Sequence, residues 1–213
     1  SRWILTLVSL IAYVFTKVSV TVYAGGMVFQ TLIPELQFAG LNSFWIGAVS
    51  VVLLTGVYTM VGGLRAVVYT DAMQTVVLLL GSLCITLIGL YHLGGWSVLR
   101  EMNGSVRFNL WRPASDPEFP WPGMLFAAPI VGLWYWGADQ YIVQRTLAAR
   151  SLKIARRGTI FGAYLKITPV FLFIVPGMIA YALVQKGMLV MDSPDQAFAA
   201  LVTQLLPQGV RGL

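Results

Sequence analysis

Four ionisable side chains lie inside long apolar stretches of the sequence, where a charge is energetically unfavourable and therefore informative. They are Lys17, Asp71, Asp139 and Lys166. A charged side chain at the centre of a membrane helix costs roughly 2.5 to 3.5 kcal/mol on insertion scales, and such residues commonly bind ions or line polar cavities. The four residues are therefore candidates for ion or solute binding within a membrane.

Three of these residues also have structural interpretations that the sequence leaves open. Lys17, near the middle of its apolar stretch, could bond backbone carbonyls inside a helix bundle. Asp71 could cap the start of a helix or pair with Arg65 across a turn. Asp139 could pair with a basic residue such as Arg145, which we favour over a contact with a solute.

Lys166 is the strongest candidate for a binding role. It lies about two turns into an apolar run, and Pro169 and Pro176 follow it in the same run. Prolines inside a helix release backbone carbonyls, which a polar cavity can use. This combination favours a cavity position for Lys166.

An aromatic cluster gives a second indication of a binding site. Trp134, Tyr135 and Trp136 are adjacent, with Gly132 and Gly137 on either side. The cluster lies about twelve residues into its apolar run, near mid-membrane at about 1.5 Å per residue, whereas aromatic belts lie at membrane interfaces. Aromatic faces suit the apolar face of a sugar ring, and glycines permit close approach. Tight helix packing is the alternative explanation.

The elements that carry these residues are predicted to be membrane helices. The chain is 58% hydrophobic and 10% charged, with a mean hydropathy of +0.78, which exceeds what a soluble domain of 213 residues could bury. Five apolar runs approach or exceed the roughly 20 residues that cross a bilayer core of about 30 Å. These predicted spans are residues 3–32, 43–61, 66–93, 122–147 and 158–184. The fold class is therefore an all-α, polytopic membrane protein.

Charge predicts the orientation of the spans. Five basic residues and no acidic ones lie between positions 145 and 157, which makes the loop 148–157 cytoplasmic by the positive-inside rule. Alternation then makes the loop 94–120 extracellular. The net charge of +6 is explained by this topology, so membrane lipid is a predicted partner and nucleic acid is not. The short extracellular loop without cysteine pairs favours a bacterial inner membrane.

The sequence argues against a membrane-embedded enzyme. His92 and Cys84 are the single histidine and cysteine, and no set of ligands has the spacing of a metal site. We therefore expect no catalytic residues and no cofactor apart from a coupling ion.

Two stretches resemble a known transporter family. Residues 62–74, GGLRAVVYTDAMQ, look like the signature of the sodium:solute symporters, and residues 133–145, LWYWGADQYIVQR, resemble their sodium/glucose branch. Shorter matches occur in the same order along the chain. These are FTK at 15–17, PWPG at 120–123, YLK at 164–166 and PGM at 176–178. The resemblance covers essentially the whole chain.

The resemblance implies a leucine-transporter-like inverted-repeat fold and specific residue roles. The tyrosine matching Tyr135 stacks on the sugar ring as an inner gate, beside the tryptophan matching Trp136. The lysine matching Lys166 hydrogen-bonds sugar hydroxyls, and the position matching Lys17 lies near the site. The aspartate matching Asp71 is tied to sodium coupling, as part of a second sodium site in some members and near the sodium exit path in others.

Two departures qualify these implications. Gly132 stands where sugar transporters of this branch have Asn or Thr in contact with the substrate, so water replaces that group or the substrate differs. We also expect the chain to be a fragment covering about the third to seventh core helices. The main sodium ligands of the family lie on other helices, so the fragment alone is not expected to transport.

The predicted function is sodium-coupled symport of a small neutral solute, foremost a sugar or polyol, by alternating access. Symport of another small solute, such as an organic anion or amino acid, remains an alternative. A transporter-like membrane sensor or regulatory module is the second alternative.

Overall fold

The computed structural model describes residues 2–38, 40–109 and 111–211, and the regular elements in these ranges are all helices. In chain order they are α1 (Arg2–Ala12), π1 (Tyr13–Val18), α2 (Ser19–Leu32), α3 (Ser43–Leu93), α4 (Trp96–Phe108), α5 (Trp121–Gly137), α6 (Gln140–Leu147), α7 (Leu152–Leu165), π2 (Val170–Ile174), α8 (Val175–Gln185), a 3₁₀ turn (Pro194–Gln196) and α9 (Ala197–Leu205). The predicted all-α fold is confirmed.

Three helical stretches in the described part of the chain are long and apolar enough to cross a membrane. They are Trp3–Leu32, Ser43–Leu93 and Leu152–Gln185. The 51 residues of α3 would extend ~77 Å as a straight helix, far more than a bilayer core of about 30 Å. At Gly63 the backbone has φ 57° and ψ −160°, a conformation that favours glycine and breaks α3 into two arms. The arms correspond to the predicted spans 43–61 and 66–93.

Other helix boundaries differ from those of the predicted segments. The predicted span 122–147 is divided into α5 and α6 by a break at Ala138 and Asp139. The predicted loop 94–120 contains α4, and α7 begins inside the predicted loop 148–157. Hydropathy does not detect α4 because only one of its faces is buried, through Leu99 and Asn103. The membrane crossings themselves stay a prediction.

The helices group into two compact units. The described residues up to Val76, together with those from Gly187 onward, form the first unit, and Val77–Lys186 form the second. Lys17 and Asp71 belong to the first unit. The aromatic cluster and Lys166 belong to the second.

Close glycine contacts pack α2 against the first arm of α3 in the first unit. A Cβ atom added to Gly26 would lie 2.7 Å from the ring of Phe44, and one added to Gly47 would lie 2.5 Å from Phe29. Each glycine therefore accommodates a phenylalanine of the other helix. Small residues allow such close approach of helices in membranes, where apolar burial gives little driving force.

The second unit has its core between α4 and α8. Leu99, Ile179 and Leu183 are fully buried there. The guanidinium of Arg107 lies 3.5 Å from the ring centroid of Tyr181, a cation–π contact between the same two helices. Lys186 donates a 2.7 Å hydrogen bond to the carbonyl of Leu93, the last residue of α3. A cation at a helix C-terminus satisfies an otherwise unpaired carbonyl and complements the helix dipole.

Residues 112–119, which precede α5, are held together by hydrogen bonds to Asp116. Its carboxylate accepts the backbone N–H groups of Phe119 at 2.8 Å and Glu118 at 3.0 Å, and the guanidinium of Arg112 at 3.0 Å. These bonds, the one from Phe119 foremost, lower the pKa of Asp116. A lowered pKa means that the stabilisation is present at neutral pH and is lost as the pH falls through the folded-state pKa.

Candidate functional site

The aromatic cluster lies at the C-terminal end of α5, where the helix stops. The backbone N–H groups of Ala138 and Asp139 both bond to the carbonyl of Trp134, at 2.8 and 2.9 Å. Ala138 leaves the helical conformation with φ −129° and ψ −22°, so α5 ends at Gly137. The rings of Tyr135 and Trp136 meet edge to face, with centroids 5.5 Å apart. Tyr135 is half-buried and Trp136 is 39% exposed.

Asp139 begins the next helix from a buried position. It is 1% exposed, and its carboxylate accepts the backbone N–H of Tyr141 at 3.1 Å as the N-cap of α6. A capping carboxylate satisfies an N–H that has no partner within the helix, and its negative charge interacts favourably with the positive end of the helix dipole. Arg145 donates to the carbonyl of Tyr141 at 2.9 Å. The pairing of Asp139 with Arg145 stays a prediction.

Lys166 lies at a second helix end. Helix α7 stops at Leu165, and residues 166–168 form a turn before Pro169. Proline has no N–H to donate and disfavours the helical conformation of the residue before it. The turn is held by short-range bonds, from the N–H of Lys166 to the carbonyls of Gly162 and Ala163 and from the N–H of Ile167 to that of Tyr164.

The structure brings Lys166 and the aromatic cluster together. The ammonium of Lys166 donates a 3.0 Å hydrogen bond to the hydroxyl of Tyr135 and lies 4.3 Å from the centroid of its ring. This contact joins residues 31 positions apart in the sequence. A Cβ atom added to Gly162 would lie 3.7 Å from the indole of Trp136, so this ring lies against α7. The ends of α5 and α7 therefore meet through Tyr135, Trp136 and Lys166.

Gly132 leaves open space one turn before Trp136. A Cβ atom added there would have no heavy atom of another residue within 4 Å, apart from the neighbours and helix backbone of Gly132 itself. The position therefore has room for a side chain, for water or for part of a solute. Its assignment to the solute site stays a prediction.

Lys17 lies in π1, in the middle of the first long helical stretch. Its ammonium lies 4.4 Å from the ring centroid of Tyr13, about one turn earlier on the same stretch. A π-helical turn widens the helix and is frequent at functional sites. The role of Lys17 in solute binding stays a prediction.

Asp71 lies within the second arm of α3 and is half-buried. The interpretation of Asp71 as a cap at a helix start is wrong, because the break occurs at Gly63, about two turns earlier. The backbone carbonyl of Asp71 accepts the hydroxyl of Thr75 at 2.7 Å. Its role in sodium coupling stays a prediction.

Two threonines that the sequence analysis did not single out take up carbonyls left without their helical donors. Pro169 cannot donate to the carbonyl of Leu165, which instead accepts the hydroxyl of Thr168 at 2.7 Å. A π-helical turn pairs an N–H with the carbonyl five residues earlier, as the N–H of Val175 does with the carbonyl of Val170 in π2. The donor to the carbonyl of Phe171 would therefore be residue 176, which is a proline and has no N–H.

The carbonyl of Phe171 accepts the hydroxyl of Thr86 on α3 at 3.1 Å. The released carbonyls at 165 and 171 are therefore bonded by side chains rather than left to a cavity. The signal for Thr168 was a hydroxyl residue directly before a proline.

The arrangement around Lys166 can bind a small polar molecule. The lysine ammonium has three donors, the tyrosine hydroxyl both donates and accepts, and the two aromatic rings offer apolar faces. In the described ranges, no group of three or more His, Cys, Asp or Glu residues could hold a metal ion. The groups present offer hydrogen bonds and apolar ring faces.

Comparison with known proteins agrees with the motifs. Residues 1–213 match the sodium:solute symporter family. The chain is 37% identical over 241 residues to the sodium/myo-inositol cotransporter 2 of Homo sapiens, covering 99% of this chain and 34% of that protein. It is 36% identical over 239 residues to that of Sus scrofa, covering 98% and 34%. It is 33% identical over 244 residues to the sodium/glucose cotransporter 1 of Oryctolagus cuniculus, covering 98% and 36%.

The chain therefore spans about a third of the length of the curated relatives that it matches. The family and these relatives are transporters, which confirms the prediction that the chain is not an enzyme. Their names give sodium as the coupling ion. Together with the long apolar helices, the match identifies an integral, multi-pass membrane protein. The chain belongs to the sodium:solute symporter family.

Proposed function

We propose that this chain provides part of the solute site of a sodium-coupled symporter for a small neutral polyhydroxy solute, a sugar or a cyclic polyol. The observation that carries the proposal is the contact between Lys166 and Tyr135 at the facing ends of α7 and α5. The names of the matched relatives, sodium/myo-inositol and sodium/glucose cotransporters, support the same solute class.

The residues at this contact have complementary roles toward such a solute. The ammonium of Lys166 donates to solute hydroxyls, and Tyr135 and Trp136 offer ring faces to the C–H face of the solute. Both protein rings lie at a helix end, where a modest change in backbone conformation can move them. Tyr135 acts as the inner gate that the family resemblance implies, and loss of its bond to Lys166 accompanies solute entry or release. Small organic anions satisfy the lysine but lack the C–H face that the rings accommodate.

Sodium supplies the driving force in this proposal, and Asp71 contributes to a second sodium site. Moving one charge through 100 mV is worth about 2.3 kcal/mol, and a tenfold sodium gradient adds about 1.4 kcal/mol. One sodium ion per solute thus supports roughly 500-fold accumulation, and a second ion would roughly square that ratio. The involvement of Asp71 therefore determines how strongly the transporter concentrates its solute.

The proposal extends to the partners and the location of the protein. The host membrane is a bacterial inner membrane, the partners are solute, sodium and lipid, and nucleic acid is not among them. The exposed apolar side chains of the long helices support lipid contact, with Leu54 at 69% exposure and Val61 at 86%.

The test is uptake by the product of the complete gene in sodium-free proteoliposomes, placed in medium with and without sodium. The probes are radiolabelled myo-inositol, glucose and a small carboxylate. We expect sodium-dependent uptake of myo-inositol or glucose, abolished in Lys166→Ala and Tyr135→Ala at normal expression. Lys153→Ala is the matched control, because Lys153 lies exposed in the first turn of the same helix, α7.

Two results would contradict this proposal. Uptake of the carboxylate alone would show that the transported solute is an anion. Wild-type uptake in both Lys166→Ala and Tyr135→Ala would remove these residues from the solute site. A gene product that binds solute without moving it would instead support a sensor.

A further inference from the structure

The peptide group that precedes Lys166 is held by a hydrogen bond from a side chain. Its carbonyl belongs to Leu165, and a regular helix would supply a donor from the residue four positions later. That residue is Pro169, which has no N–H. The hydroxyl of Thr168 donates to the carbonyl at 2.7 Å, and the N–H of Thr168 reaches it at 3.1 Å. Thr168 thus supplies both donors to this carbonyl.

This bond fixes the backbone from which the Lys166 side chain starts. The carbonyl of Leu165 and the N–H of Lys166 are parts of one planar peptide unit, so orienting the first orients the second. The N–H of Lys166 points back to the carbonyls of Gly162 and Ala163 at 3.1 and 3.2 Å. The peptide is therefore held from both sides, and together with the φ of −66° at Lys166 it sets the direction of the Cα–Cβ bond of that residue.

We propose that Thr168 is a positioning residue for Lys166, which places the lysine ammonium against Tyr135 and so sets the affinity for solute. The proposal rests on the function proposed above for Lys166. In this role Thr168 acts through Lys166, because its single hydroxyl hydrogen is used by the carbonyl of Leu165 and is not free to donate to a solute.

Without the Thr168 hydroxyl, a partly buried carbonyl loses its strongest donor, and the turn at 166–168 can relax toward other backbone conformations. The ammonium of Lys166 then spends less time at the position that meets both Tyr135 and a bound solute. Because a preorganised donor is worth more than a mobile one, solute affinity falls while the lysine charge remains.

The test compares variants of the complete gene product in proteoliposomes. The probe is radiolabelled myo-inositol or glucose, whichever the wild-type protein takes up. Thr168→Val keeps the shape and removes the hydroxyl, whereas Thr168→Ser restores it. Thr159→Val is the matched control: Thr159 bonds the carbonyl of Ala155 at 3.0 Å inside α7, and no proline stands where the donor of that carbonyl would be. We expect the KM for solute to rise about tenfold in Thr168→Val. We expect wild-type KM in Thr168→Ser and Thr159→Val.

A role confined to stability would lower expression or thermal stability without a selective change in KM, so the melting temperature of each purified variant is measured in parallel. Thr168→Ala is a second variant that lacks the hydroxyl and adds no bulk. Wild-type KM in either correctly inserted variant overturns the proposal. Equal KM changes in Thr168→Val and Thr159→Val also overturn it. So does failure of both Thr168 variants to insert, since Thr168 would then serve the fold.

The Lys166→Ala variant separates this inference from the function on which it rests. If Lys166→Ala retains wild-type uptake, the proposed function of Lys166 fails, whatever Thr168 does. If Lys166→Ala abolishes uptake and Thr168→Val has the wild-type KM, only the positioning role fails.

Discussion

The two units of the molecule hold a lysine inside apolar helices in different ways. In the first unit, the ammonium of Lys17 lies over the ring of Tyr13, about one turn earlier on the same helical stretch. In the second unit, Lys166 lies where a helix ends, and its ammonium bonds to Tyr135 on a different helix. One contact is internal to a single helical stretch, and the other joins two.

This difference determines whether each contact is sensitive to movement of the helices. A contact within one helix persists as long as that helix is intact, whichever way its neighbours move. A contact between two helices changes when either helix shifts or when a solute competes for the same donor. The Lys166 contact is therefore suited to couple solute binding to a conformational change, and the described Lys17 contact is suited to satisfy a charge locally.

Replacing each lysine in turn tests this comparison with the largest expected effect. In the complete gene product, at solute concentrations below KM, we expect Lys166→Ala to lower the uptake rate about 100-fold. The reason is that a charged donor is removed from the site. We expect Lys17→Ala to lower it no more than about threefold, the loss expected for an exposed cation–π contact. Similar losses in the two variants, at equal surface expression, would place Lys17 in the solute site, as the family resemblance implies.

The same contrast between local and distant contacts explains what the sequence could predict. Hydropathy predicted the long helices, and the gap between the predicted spans 43–61 and 66–93 contains the break in α3 at Gly63. The break after Gly137 was not predicted, because averaged hydropathy does not register how the backbone of Ala138 and Asp139 is bonded. Helix α4 was missed because hydropathy averages over all faces of a helix, and only one face of α4 is buried.

The candidate site was predictable only in part from the residues themselves. The depth of Lys166 and the aromatic cluster each indicated binding, but their contact spans two helices, and nothing in the spacing of the residues gives it. The family resemblance implied that both belong to one solute site, but not that they contact each other. The role of Thr168 depends on the missing N–H of Pro169, which leaves the carbonyl of Leu165 without its helical donor. This becomes visible only when the backbone hydrogen bonds are followed residue by residue.

Asp71 extends the comparison from solute to ion, with an intermediate expected effect. We expect Asp71→Asn to raise the sodium concentration for half-maximal uptake about tenfold, because a formal negative charge near a cation is lost. The KM for solute at saturating sodium should change little, in contrast to the Thr168 variants. The measurement is uptake as a function of sodium at fixed solute. An unchanged sodium dependence would return Asp71 to a structural role within α3.

The smallest expected effect comes from matched glycines in the two units. Gly132 and Gly56 are both half-buried helical residues, and an added Cβ would meet no heavy atom within 4 Å beyond each glycine's own neighbours and helix backbone. Gly132→Asn adds a donor and an acceptor one turn from Trp136, and we expect about a threefold change in the ratio of KM values for myo-inositol and glucose.

Gly56→Asn carries the same change in helix propensity and should leave that ratio unaltered. A shift of the ratio in both variants, or in neither, would show that the open space at Gly132 does not face the solute. A shift in Gly132→Asn alone would extend the site on α5 beyond Tyr135 and Trp136. It would also explain how a chain without a side chain at this position selects its solute, since the open space itself then becomes part of the recognition surface.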